Sequence, residues 1–89
     1  MKKFELTLTD EEVKILEHDL LNIQEWIAGA IAGKLNNCKK RAAISYRETL
    51  KKEGAEMVPA NDSVAVQQYF LRADYKNRKQ RDAVIDELR

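Results

Sequence analysis

Asn22 to Gly54 reads NIQEWIAGAIAGKLNNCKKRAAISYRETLKKEG, and whether this stretch is one helix decides the fold. Its apolar positions are Ile23, Ile27, Ala30, Ile31, Leu35, Cys38, Ala42, Tyr46 and Leu50. Steps of three and four are the spacing that holds one stripe along a helix. Asn22 can cap the helix N-terminus, with Glu25 three positions on to close a capping box, or it marks a kink. Gly54, after Lys51 and Lys52, is a C-terminal stop that suits the helix dipole. The spacing therefore predicts one helix over 23–53, roughly 46 Å long at 1.5 Å per residue. Gly29 and Gly33 oppose it, at roughly 1 kcal/mol each against alanine. Ala28, Gly29, Ala32 and Gly33 also form overlapping small-xxx-small spacings, which let a second helix approach closely. Close packing is the reading adopted; a break at the glycines is the alternative.

Towards the N-terminus, Thr9-Asp10-Glu11-Glu12 has the form of a capping box, and its acids suit a first helical turn. Val13, Leu16 and Leu20 follow at helical spacing, so a helix is expected over 10–21. Phe4, Leu6 and Leu8 alternate with Glu5 and Thr7. Residues 1–9 are expected to form an extended arm; the alternation also suits a strand, which would need a partner from another chain.

Towards the C-terminus, residues 54–62 read as a loop, with Val58 held out of helical geometry by Pro59. Asn61 or Asp62 can cap a third helix over 63–88 with a stripe of Val66, Phe70, Ala73, Val84, Ile85 and Leu88. Its middle, Tyr75 to Arg81, is mostly polar and is where that helix would fray or break. The expected fold class is all-α: an arm, a short helix, then two longer helices packed as an antiparallel hairpin, three helices in a single domain spanning 1–89.

Composition bounds the function. Charged residues make up 35% of the chain, and its longest uncharged run, Ser63 to Leu71, is far too short to cross a bilayer. Lys2 and Lys3 imitate the start of a signal peptide, but Glu5 and Asp10 interrupt any apolar core behind them. One cysteine forms no internal disulfide. The expectation is a cytoplasmic protein without a membrane partner.

The net charge of +1 conceals an asymmetry. Residues 1–33 carry three Lys/Arg and seven Asp/Glu, giving −4; residues 34–52 carry seven and one, giving +6; residues 53–89 carry six and seven, giving −1. Lys39, Lys40, Arg41, Arg47, Lys51 and Lys52 lie on the long helix, and Lys76, Arg78, Lys79 and Arg81 on the last. An antiparallel hairpin turning near Val58 would set 76–81 beside 35–40 and join the two clusters. Such a patch is a candidate phosphate-binding surface. A solvated face neutralised by the chain's own acids is the simpler reading.

No catalytic constellation stands out. His18 and Cys38 make no metal set, because four-ligand spacing is absent. Cys38 on the apolar stripe reads as a small buried hydrophobe. Ser45 and Ser63 have no neighbouring histidine to activate them, and no glycine-rich phosphate loop follows a strand. No catalytic residue, metal or cofactor is therefore assigned, and the chain is not expected to be an enzyme.

Length supplies the remaining argument. A compact chain of this size has a diameter on the order of 30 Å, so a 46 Å helix overhangs it. The polar middle of the last helix does not cover the overhanging stripe, and a second copy would. The candidate interface is Trp26, Gly29, Ala30, Gly33, Leu35, Cys38 and Ala42. Trp26 reads first as a core residue and second as an interface anchor.

From Leu6 to about Arg41 the chain also resembles a pattern in small bacteriophage proteins, mostly without an assigned activity. The residues that carry it are Leu8-Thr9-Asp10-Glu11-Glu12, Gln24-Glu25-Trp26-Ile27, Ala30, Lys34 and Asn37-Cys38-Lys39-Lys40-Arg41. The match covers well under half the chain. It departs from the family at Leu21-Asn22-Ile23, where an Asp-Pro-like break is usual. The resemblance implies a phage structural, assembly or accessory protein, in the host cytoplasm or carried into a virion. The expected partners are a second copy and other proteins. Nucleic-acid binding through the basic patch and inhibition of a host protein are the alternatives.

Overall fold

The computed structural model describes residues 1–87 and is all-helical, with four helices: α1 (Asp10–Asp19), α2 (Ile23–Lys52), α3 (Asp62–Phe70) and α4 (Arg78–Glu87). Leu88, the last apolar position of the expected third helix, lies outside the described residues. The chain falls into two compact units, 1–35 and 36–89, and α2 contributes to both.

In the first unit, residues 1–9 adopt neither helix nor strand. The Thr9 hydroxyl accepts from the Glu12 amide at 3.1 Å and the Glu12 carboxylate accepts from the Thr9 amide at 2.9 Å, so the capping box starts α1. The Asn22 side chain accepts from the Glu25 amide at 3.0 Å and starts α2. Leu8, Val13, Leu16, Leu20, Ile23 and Ile27 are half-buried, and no residue of this unit is fully buried.

In the second unit, α2 ends where the sequence places its stop. Gly54, at φ 73°, donates to the Lys51 carbonyl, and Ala55 donates to the Leu50 carbonyl. This paired arrangement closes a helix around a left-handed glycine. Asn61 caps α3 by accepting from the Val64 amide. The buried core is Ala43, Tyr46 and Ala65, with Leu50, Val66 and Tyr69 packed around it. Alanines at 43 and 65 let the two backbones approach, and the Tyr46 hydroxyl donates to Gln68 Oε1 at 3.0 Å, so its polar end is satisfied.

Two features of the expected architecture are corrected. The predicted third helix is two helices, α3 and α4, so the count is four. The break has local causes. The guanidinium of Arg72 is held by Asp74, two residues on, and by Glu53. Asn77 and Gln80 then form a reciprocal cap that starts α4. Tyr75 in the connection packs edge-on to Tyr69, ring centroids 4.9 Å apart, and against Phe70.

The antiparallel hairpin is also replaced. Lys39 bonds Ser63, Tyr46 bonds Gln68, and Glu53 pairs with Arg72. The residue numbers rise together, so α3 runs in the same sense as the C-terminal half of α2. Lys39 to Lys52 is about 20 Å of helix, and the connecting residues 53–61, when extended, reach about 30 Å. The loop is thus long enough to return along α2 as a strap before α3 begins. Arg47 holds the strap: Nε donates to the Pro59 carbonyl at 2.8 Å, and Nη2 donates to the Ala60 carbonyl at 2.8 Å and to Asp62 Oδ1 at 2.6 Å.

Candidate functional site

The residues singled out from the sequence lie mostly on the uncovered surface of α2. Trp26 is 56% exposed, Ile31 64% and Leu35 67%, so the expected core burial of Trp26 is corrected. Cys38 is exposed as well, against the expectation of a buried thiol. Ala30 is exposed and Ala42 half-buried. A Cβ added at Gly29 or Gly33 would meet nothing within 4 Å. Among the described residues nothing makes the close approach that the small-residue spacing suggests.

Ile31, Leu35, Cys38 and Ala42 follow steps of four, three and four. They fall within about 60° of arc at 100° per residue and extend about 16 Å along the axis. Lys34 and Arg41 lie together along one border of this stripe, and Lys39 lies along the other. The result is an apolar strip edged by cations. Large exposed apolar patches with a polar rim are the form that contact sites take.

The basic residues of the expected joint patch make no hydrogen bond or ion pair that links the two clusters among the described residues. Lys39 faces Ser63, and the hydrogen bonds and ion pair of residues 76–81 stay within 76–82. Arg78 pairs with Asp82 at 3.6 Å, and Arg81 donates to the Lys76 carbonyl. Arg47 is occupied in the strap and is 23% exposed, so its role is structural. Lys40, Arg41, Lys51, Lys52, Lys76 and Lys79 are exposed.

Sequence reasoning missed Asp62 and the Arg72 cluster. Asp62 pairs with a residue fifteen positions away and Arg72 with Glu53 nineteen away, so no local pattern announces those ties; only Asp74 is local to Arg72. Hydrogen bonding and the charge of Arg72 hold the carboxyls of Glu53 and Asp74 below the ordinary carboxylate range, and the pair raises Arg72 in turn. The capping hydrogen bonds with Thr9 lower Glu12 likewise.

An open depression on α4, lined by Arg78, Lys79, Asp82, Ala83 and Asp86, brings together no set of groups suited to catalysis. Among the described residues, no three His, Cys, Asp or Glu side chains are grouped to hold a metal ion, and no helix is long and apolar enough to cross a membrane.

In comparisons with known proteins, no family model, curated protein or solved structure matches this chain.

Proposed function

We propose that this chain is a small non-enzymatic protein that works by protein–protein contact, using the uncovered face of α2 and associating with itself. The observation that carries the reading is the strip of Ile31, Leu35 and Cys38, exposed on a helix whose neighbouring face already holds α3. Trp26, Gly29 and Gly33 are open as well, but they lie roughly 150–170° round the helix from the strip at 100° per residue and are not part of this contact. Sedimentation equilibrium over a wide concentration range tests it. A mass above that of one chain at micromolar protein is expected, and a monomer throughout the high-micromolar range overturns self-association.

The similarity of residues 6–41 to small bacteriophage proteins supports placing this contact role in particle structure or assembly. Mass spectrometry of purified particles tests that placement, with the chain expected at a fixed ratio to the coat protein.

A second reading has its own observation. Lys34, Arg41 and Lys52 are exposed along one side of α2, with Lys40 and Lys51 nearby. A row of cations binds nucleic acid weakly, without sequence preference, and with affinity that falls steeply as salt rises. Absence of binding at low salt removes this reading.

A further inference from the structure

The occupant of the strip can be read from its charged borders. Two copies of α2 packed on each other through Ile31, Leu35, Cys38 and Ala42 would bring their cations together. An antiparallel pair sets Lys34 against Arg41, and a parallel pair sets Lys34 against Lys39. Like charges across a contact oppose association. The strip calls for an apolar face bordered by acids, on an element about 16 Å long.

One element of this chain has those properties. α1 is ten residues, about 15 Å. Its Val13 and Leu16, with Leu20 at the C-cap, form one stripe, half-buried within its own copy and still partly accessible. Glu12 and Asp19 border that stripe on one side, and both are exposed. They stand seven positions apart, the spacing that separates Lys34 from Arg41. In antiparallel helix pairs, the borders on the same side of each stripe meet. Docked that way, Glu12 faces Arg41 and Asp19 faces Lys34 in one register.

We infer that the strip on α2 receives the acid-bordered face of α1 from a second copy, antiparallel, with Glu12 opposite Arg41 and Asp19 opposite Lys34. This rests on the reading of the chain as a self-associating contact protein and names the surfaces that meet. The charges of the two elements agree: α1, residues 10–19, carries one Lys/Arg and five Asp/Glu, giving −4, and residues 34–52 of α2 carry seven and one, giving +6.

The test is the sign of a charge reversal, read as a dissociation constant by sedimentation equilibrium at low salt. Lys34→Glu with Arg41→Glu is expected to weaken self-association on the order of tenfold, the scale of two exposed ion pairs turned repulsive. Adding Asp19→Lys to that double variant is expected to recover part of the loss. Glu12 is left intact because it caps α1. A double variant that associates as well as the parent or more tightly shows that these cations do not face acids across the contact and overturns this inference, while leaving self-association standing. A loss that Asp19→Lys does not recover also overturns it. A parent chain that stays monomeric overturns both.

Discussion

Replacing Arg47 with methionine keeps an unbranched apolar stem on α2 and removes the three hydrogen bonds that tie the end of the strap to it. The guanidinium makes three hydrogen bonds, to the carbonyls of Pro59 and Ala60 and to Asp62. Bonds to a charged donor contribute roughly 1.5–3 kcal/mol each in buried settings. Here Arg47 is 23% exposed and Asp62 39%, and water can replace the guanidinium at both carbonyls, so solvent screening reduces the sum. A total of about 2 kcal/mol is reasonable, which for a small domain lowers the melting temperature by roughly 8–16 °C. Asp62→Asn keeps the carbonyl bonds and loses only the ion pair, so its cost should stay below about 1 kcal/mol. Thermal melts followed by circular dichroism at 222 nm read both. An Arg47→Met variant that melts within about 2 °C of the parent would show that the strap does not depend on this residue, and the same-sense pairing of α2 and α3 would lose its main tie.

Ala65 is fully buried between the helices, so Ala65→Leu should overpack the contact with Ala43 and Tyr46 and destabilise the chain by about 1–3 kcal/mol in urea melts. Gly29→Ala meets open space, so the monomer should gain about 1 kcal/mol of helix stability; weaker self-association in the same variant would place Gly29 at the contact. The carboxyls of Glu12, Glu53 and Asp74 titrate lower in the folded chain than when unfolded. The stability they contribute is therefore complete above the ordinary carboxylate values and is lost as pH falls through the folded ones, so urea midpoints should hold near neutrality and decline below about pH 4. A midpoint that rises on acidification would contradict the assignment. Cys38 is exposed in the strip, so thiol labelling should be fast in dilute protein and slow as the concentration reaches the associating range.

The parts of the fold legible in the sequence are those with local causes. Thr9 with Glu12, Asn22 with Glu25, Asn61, and Gly54 after two lysines are each satisfied within three or four residues, and each marks a helix end in the structure. The polar run from Tyr75 to Arg81 marks where the third helix would fray or break, and α3 ends at Phe70 with α4 starting at Arg78; what a search for apolar repeats passes over is the Asn77–Gln80 cap inside that run. The direction of α3 was not legible. It depends on the strap, whose anchor joins Arg47 to residues twelve to fifteen positions away. The juxtaposition of 76–81 with 35–40 follows from an antiparallel turn, and it loses that argument with the same-sense pairing of α3.

The exposed strip has a cause in the apolar spacing of α2 itself. A step of three positions advances 300° around a helix, 60° short of a full turn, and a step of four overshoots by 40°. A single stripe stays straight only where threes and fours alternate. From Ile31 to Ala42 the steps are four, three and four, and the positions keep to one face. After Cys38 the steps through Ala42, Tyr46 and Leu50 are all fours, and the apolar positions swing round by about 40° each. Tyr46 and Leu50, with Ala43 beside them, therefore form a face centred about 80° from the strip, and that face holds α3. To cover Leu35, α3 would have to leave the face that buries Tyr46, along with the Arg47 bonds that fix its start. The continuous apolar repeat read from the sequence is two faces in succession, one closed by α3 and one left exposed. It is the cations bordering the open face that make the charge of that partner a question an Arg41 and Lys34 reversal can answer.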